Sequence, residues 1–128
     1  MRNIFPLPAL AFAVVAACAP TTQVSANRIA LSPALEGQAR TLASRDLIDP
    51  GSVQFRGLRA WRLSNGDVAV CGEQNARNRF GGYVGFQPLY LRFTPGSALA
   101  LNSLKREFLA QSACGALDSG RGLPVAEG

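Results

Sequence analysis

The chain has no histidine, so it lacks the usual catalytic triads and imidazole general bases. Carboxylates are the remaining acid–base candidates. Glu73, with Asp67 or Asp49 as its partner, has the composition of a paired-carboxylate glycan-cleaving site, but their places in the sequence set no separation between them. No metal centre is expected either, because separated cysteines without histidine lack zinc-ligand spacing. No cofactor is expected. Binding without catalysis is the better reading. From Gly72 to Phe86 the chain crowds polar side chains against a Gly-Gly joint and aromatic residues. There Arg77 and Arg79 offer forked donors to an anion, and Asn75 and Asn78 both donate and accept. Tyr83 and Phe86 could stack on a sugar ring or fill a partner pocket. Plainer readings stand beside these. Asparagines shape turns, glycines let the chain bend, Tyr83 fits a core, and Asp49 forms a turn in which it pairs with Arg56.

Charge singles out the same region. Thirteen Lys+Arg stand against eight Asp+Glu, a net charge of +5. Arg56, Arg59, Arg62, Arg77, Arg79 and Arg92 are opposed between positions 56 and 92 only by Asp67 and Glu73. Arginine favours planar contacts with carboxylate or phosphate. The plain alternative is a solvated basic sheet face.

At the N-terminus, Met1-Arg2-Asn3 precedes an apolar run from Ile4 to Ala17, interrupted by Pro6 and Pro8. That pattern reads as a secretory signal peptide over residues 1–17, too short to span a bilayer as a helix. Val15-Ala16-Ala17-Cys18 resembles the lipobox of bacterial lipoproteins. The resemblance implies cleavage before Cys18, a diacylglycerol on its thiol and a further acyl chain, such as palmitate, on its amine. Several chains anchor a protein stably where one does not. Ala19, where an aspartate would signal inner-membrane retention, implies the periplasmic face of the outer membrane. The alternative is cleavage after Val24-Ser25-Ala26, which leaves a soluble periplasmic protein. In the envelope, nucleic acid is not an expected partner. A protein or an anionic polymer is, along with the membrane held through the lipid.

With Cys18 committed to lipid, Cys71 and Cys114 remain as an even pair. In an oxidising compartment they read as a disulfide, worth roughly 4 kcal/mol in the chain-entropy model for so long a loop. Two buried free thiols are the alternative.

The elements that must position these residues follow from periodicity. Ser32-Pro33 opens a helix as N-cap and first residue, and Leu35, Ala39, Leu42, Ala43 and Leu47 carry it to about Ile48. Val53 to Leu63 alternates as a strand with a bulge at Gly57. Asn65-Gly66 signals a hairpin into a second strand, Val68 to Cys71. Tyr83 to Phe93 reads as a third strand. Leu101, Leu104, Phe108 and Leu109 give a second amphipathic helix, capped by Gly115. The expected fold is therefore α+β, one small α-β-β-β-α domain over residues 32–115. Its antiparallel three-stranded sheet carries both helices on one face. Residues 18–31 read as a lipidated polar tether and residues 116–128 as a disordered tail.

Two stretches carry a further likeness. Asp49-Pro50-Gly51-Ser52-Val53-Gln54-Phe55-Arg56 fits D-P-x-S-x-x-F-R, and Cys71 to Phe86 fits C-G-x-x-N-x-x-N-x-x-G-G-Y-x-G-F. Together they resemble a group of small exported proteobacterial lipoprotein-like proteins, over Asp49 to Phe86. The resemblance implies an exported, folded domain and supplies no mechanism.

Overall fold

The computed structural model describes residues 23–104 and 107–124. The leader, Cys18 and residues 125–128 lie outside that range. The described chain has seven strands and two α-helices: β1 (Gln23–Val24), β2 (Ala26–Ile29), α1 (Pro33–Ser44), β3 (Gln54–Leu63), β4 (Val68–Asn75), β5 (Gln87–Phe93), β6 (Ala100–Leu104), α2 (Glu107–Asp118) and β7 (Leu123–Pro124). A 3₁₀ turn, Pro50–Ser52, leads into β3.

The expected three-stranded sheet is too small. Five antiparallel strands run in the order β2-β3-β4-β5-β6, and β1 pairs with β7 in a separate two-stranded ribbon. The helices also lie on opposite faces, not on one. Trp61, Leu63, Ala69, Cys71 and Tyr90 pack with Ala110, Cys114 and Leu117 of α2 and with Val24 and Leu123 of the ribbon. On the reverse face Ala60, Val68, Val70, Leu91 and Phe93 pack with Ala39 and Leu42 of α1. A strand between two apolar layers must be apolar on both sides, and β4 is buried without a break from Val68 to Gly72.

Local chemistry explains most boundaries. The Ser32 hydroxyl accepts from the Leu35 N–H at 3.3 Å, with Pro33 at the first helical position. Helix α1 stops at Ser44, short of Ile48, which is exposed and finds no core to enter. At the β3–β4 hairpin, Asn65 Oδ1 accepts from the Asp67 N–H at 3.1 Å, and Gly66 takes a φ of +93°. The bulge expected at Gly57 is present between Arg56 and Arg59. There a Cβ on Gly72 would lie 3.0 Å from the Arg56 carbonyl oxygen and 2.7 Å from the Leu58 side chain.

Other elements differ from expectation. Leu101 belongs to β6, which pairs with β5 as an edge strand, and α2 begins only at Glu107. The apolar spacing there suits a helix, but the hydrogen-bonding edge of β5 recruits the segment as a strand. Gly115 lies inside α2 and is not its cap. Tyr83 falls short of β5 and makes an isolated bridge to Arg77. Residues 23–29, read as tether, form β1 and β2, and residues 116–124, read as tail, complete α2 and form β7. Both segments are ordered by each other, since Val24 and Leu123 are buried in one cluster.

The disulfide is present. Cys71 of β4 and Cys114 of α2 are bonded, with Cα atoms 5.8 Å apart. It joins the second helix to the central strand, across the core that a domain of this size must stabilise.

Candidate functional site: a basic aromatic hairpin

Beyond Asn75 the chain leaves the sheet and builds a small hairpin of its own before returning at Gln87. Its frame is made by the two asparagines. Asn78 donates its N–H to the Gly82 carbonyl at 2.9 Å, and its own carbonyl accepts from the Gly81 N–H at 3.0 Å. The Asn78 side-chain oxygen also accepts from the N–H groups of Phe80 (2.9 Å) and Gly82 (3.2 Å). This tight turn needs a left-handed residue, supplied by Gly81 at a φ of +80°. Asn75, 8% exposed, accepts from the Gly85 N–H at 3.0 Å through its Oδ1. Both asparagines thus spend their acceptors on the loop's own backbone.

The frame is strapped to the 3₁₀ turn by Ser52. Its hydroxyl donates to the Asp49 carbonyl at 2.8 Å and accepts from the Arg77 N–H at 3.1 Å. Its carbonyl accepts from the Tyr83 hydroxyl at 2.9 Å. The two stretches that carry the sequence likeness therefore meet as one unit. Ser52 is the residue that joins them. Its place between proline and strand marked a turn, but nothing local revealed the distant strap.

The arginines divide into two sets. Arg92 is 2% exposed and donates to Asp67, itself 6% exposed, at 3.2 Å. Asp67 also accepts from Thr94 and Asn65. Arg59 forms a two-pronged pair with Asp118, at 2.6 Å and 2.8 Å, and holds that carboxyl below the usual range. Arg56 makes the same kind of pair with Glu73 at 2.7 Å, not with Asp49, and lies 3.8 Å above the Phe86 ring. Phe86 is thereby occupied within the molecule. Among the described residues no carboxylate pairs with Arg62, Arg77 or Arg79. Arg77 lies 5.2 Å from the Tyr83 ring centre, and Arg79 lies 5.9 Å from that of Phe80.

Phe80 at the tip is 87% exposed, and Val84 of the same hairpin is also open to solvent. Sequence reasoning did not single out Phe80. The signal was available: a large apolar residue placed between arginine and glycine in a polar turn has no periodic partner. The hairpin therefore offers two guanidiniums and one bare aromatic ring on a frame that holds itself.

The carboxylates are arranged differently. Hydrogen bonds from Arg56 hold the Glu73 carboxyl below its ordinary value, which keeps it ionised and works against a role as proton donor. Asp67 precedes β4 while Glu73 lies near its far end, a separation of about 20 Å along an extended strand. Paired glycosidase carboxylates sit about 5–10 Å apart. Among the described residues, no group of three or more His, Cys, Asp or Glu is placed to hold a metal. No described helix is long and apolar enough to cross a membrane. No protein-family model, curated protein or solved structure matches this chain.

Proposed function

We propose that the protein is a non-catalytic lipoprotein of the cell envelope. Acylated at Cys18, it sits on the periplasmic face of the outer membrane and offers the hairpin to a protein or an anionic cell-wall polymer. One observation carries the reading. Arg77, Arg79 and Phe80 are exposed together on a hairpin whose frame is satisfied by Asn75, Asn78 and Ser52. Exposed guanidiniums with no carboxylate to meet are suited to an external anion, and aromatic and arginine side chains are the usual anchors of interfaces.

The test uses the soluble Cys18→Ser protein as bait against envelope extracts, beside its Arg77→Ala/Arg79→Ala variant. Partners should be recovered by the first and lost with the second. Equal recovery of every partner by both sinks the hairpin reading. The anchor is tested separately by growth with a fatty-acid analogue. Wild type should be labelled and Cys18→Ser should not; an unlabelled wild type removes the anchor.

A further inference from the structure

The anchor and the hairpin belong to opposite ends of the domain. Gln23 pairs with Pro124, whose carbonyl accepts from the Arg92 guanidinium at 3.1 Å, and Arg92 stands beside Ala69 in the sheet. Ser25 accepts from the Ser64 N–H at 2.9 Å, at the β3–β4 turn. The chain therefore enters the domain at the Asp67 end of β4. The hairpin leaves from the other end, beyond the Gln54–Asn75 and Gln74–Gln87 pairs. The eight residues of β4 put about 25 Å between the two ends. From Cys18 to Gln23 the chain can span at most about 18 Å, so the entry end is held near the acyl chains while the tip has freedom to point away.

We infer that the hairpin tip binds the carboxylate-bearing glycopeptide polymer of the cell wall, reached across the gap from the anchoring membrane. The inference rests on the lipid-anchored binding role proposed above and adds the occupant. Three features select it. Arg77 and Arg79 match carboxylates by charge and by forked geometry. The bare Phe80 ring, with the Tyr83 ring behind Arg77, offers flat apolar faces of the kind that stack on the C–H face of a sugar. Finally, the site is a short run of exposed residues, Arg77 to Phe80, at the turn of a hairpin. A tip suits a polymer strand that repeats sugars and acidic peptides at short intervals, since each engagement needs only one repeat. An anionic lipid surface offers phosphate without sugar rings in register and lies on the entry side of the domain.

The test is co-sedimentation of the full Cys18→Ser chain with purified, protein-free peptidoglycan sacculi. Wild-type sequence at the tip should pellet with sacculi. Arg77→Ala/Arg79→Ala should weaken the apparent affinity at least about tenfold, as expected for loss of charge-assisted hydrogen bonds. Phe80→Ala should weaken it severalfold, and amidation of the wall carboxyls should remove binding. Thermal melts of each variant separate lost binding from lost folding, because all three side chains lie outside the frame. No pelleting of the wild-type tip, or pelleting insensitive to both the arginine substitutions and amidation, overturns the inference. So does sedimentation with anionic phospholipid vesicles in place of sacculi. If sacculi fail while the envelope pull-down still depends on the arginines, the binding role stands with a protein partner. If neither depends on them, both fall.

Discussion

Arg92 and the two hairpin arginines do opposite work at the two ends of this sheet. At the Asp67 end Arg92 is sealed in, with a carboxylate and the Pro124 carbonyl as its acceptors. At the hairpin end Arg77 and Arg79 rest against aromatic rings with no described carboxylate in reach. The residue type is the same, and its role is set by what the fold places beside it. Where a carboxylate is delivered, arginine becomes part of the architecture. Where only rings and glycines are delivered, it remains available to something outside.

That contrast is broken most forcefully at the closed end. Arg92→Met leaves Asp67 buried without its cation, and removing one partner of a buried pair costs about 3–5 kcal/mol. Thermal or urea unfolding should show a loss of that size; a change below about 1 kcal/mol would remove the distinction between the two ends. Reduction of the Cys71–Cys114 bond should cost roughly 4 kcal/mol by the chain-entropy argument, read as a drop in the urea midpoint with and without reductant. At the open end the frame should matter and the tip should not. Asn75→Ala removes the hydrogen bond that holds the Gly85 N–H, at about 1 kcal/mol, whereas Arg77→Ala/Arg79→Ala should move stability by no more than about 0.5 kcal/mol. A tip substitution as costly as the frame substitution would make the arginines structural.

The smallest effect concerns acid. Arg56 and Arg59 hold the Glu73 and Asp118 carboxyls below their ordinary values. A carboxyl depressed in the folded state stabilises it above the unfolded pKa, near 4, and loses that contribution as pH falls through the folded value. Wild-type melting temperature should therefore decline more steeply below about pH 4 than that of a Glu73→Gln/Asp118→Asn double variant. Parallel declines would show that these exposed pairs add nothing measurable.

Much of the centre of the fold was legible because its signals are local. Asn65-Gly66 specifies a hairpin by turn chemistry, Gly57 marks its bulge, and Ser32-Pro33 opens a helix; the Cys71–Cys114 bond was expected from an even pair of cysteines. The edges were not legible. Ala26–Ile29 is a four-residue strand with only Ala26 and Ile29 partly buried, so it carries no period to read. Leu101 and Leu104 fit a helical spacing, and only the distant edge of β5 makes that segment a strand. The opposed helices did have a signal. Val68-Ala69-Val70-Cys71 is unbroken apolar sequence, which calls for cover on both faces. In the candidate site, Arg77 and Arg79 stood out by charge, while the framing work of Asn75, Asn78 and Ser52 depends on contacts up to 31 positions apart.

The two-stranded ribbon has a topological consequence. With Gln23 lying beside Pro124, the described chain is nearly a ring. A short linker between those two residues, with new termini opened between Arg79 and Phe80, would give a circular permutant that keeps every rung of the five-stranded sheet. Such a rewired chain would begin and end at the hairpin, at the opposite end of the sheet from Gln23, without changing its core.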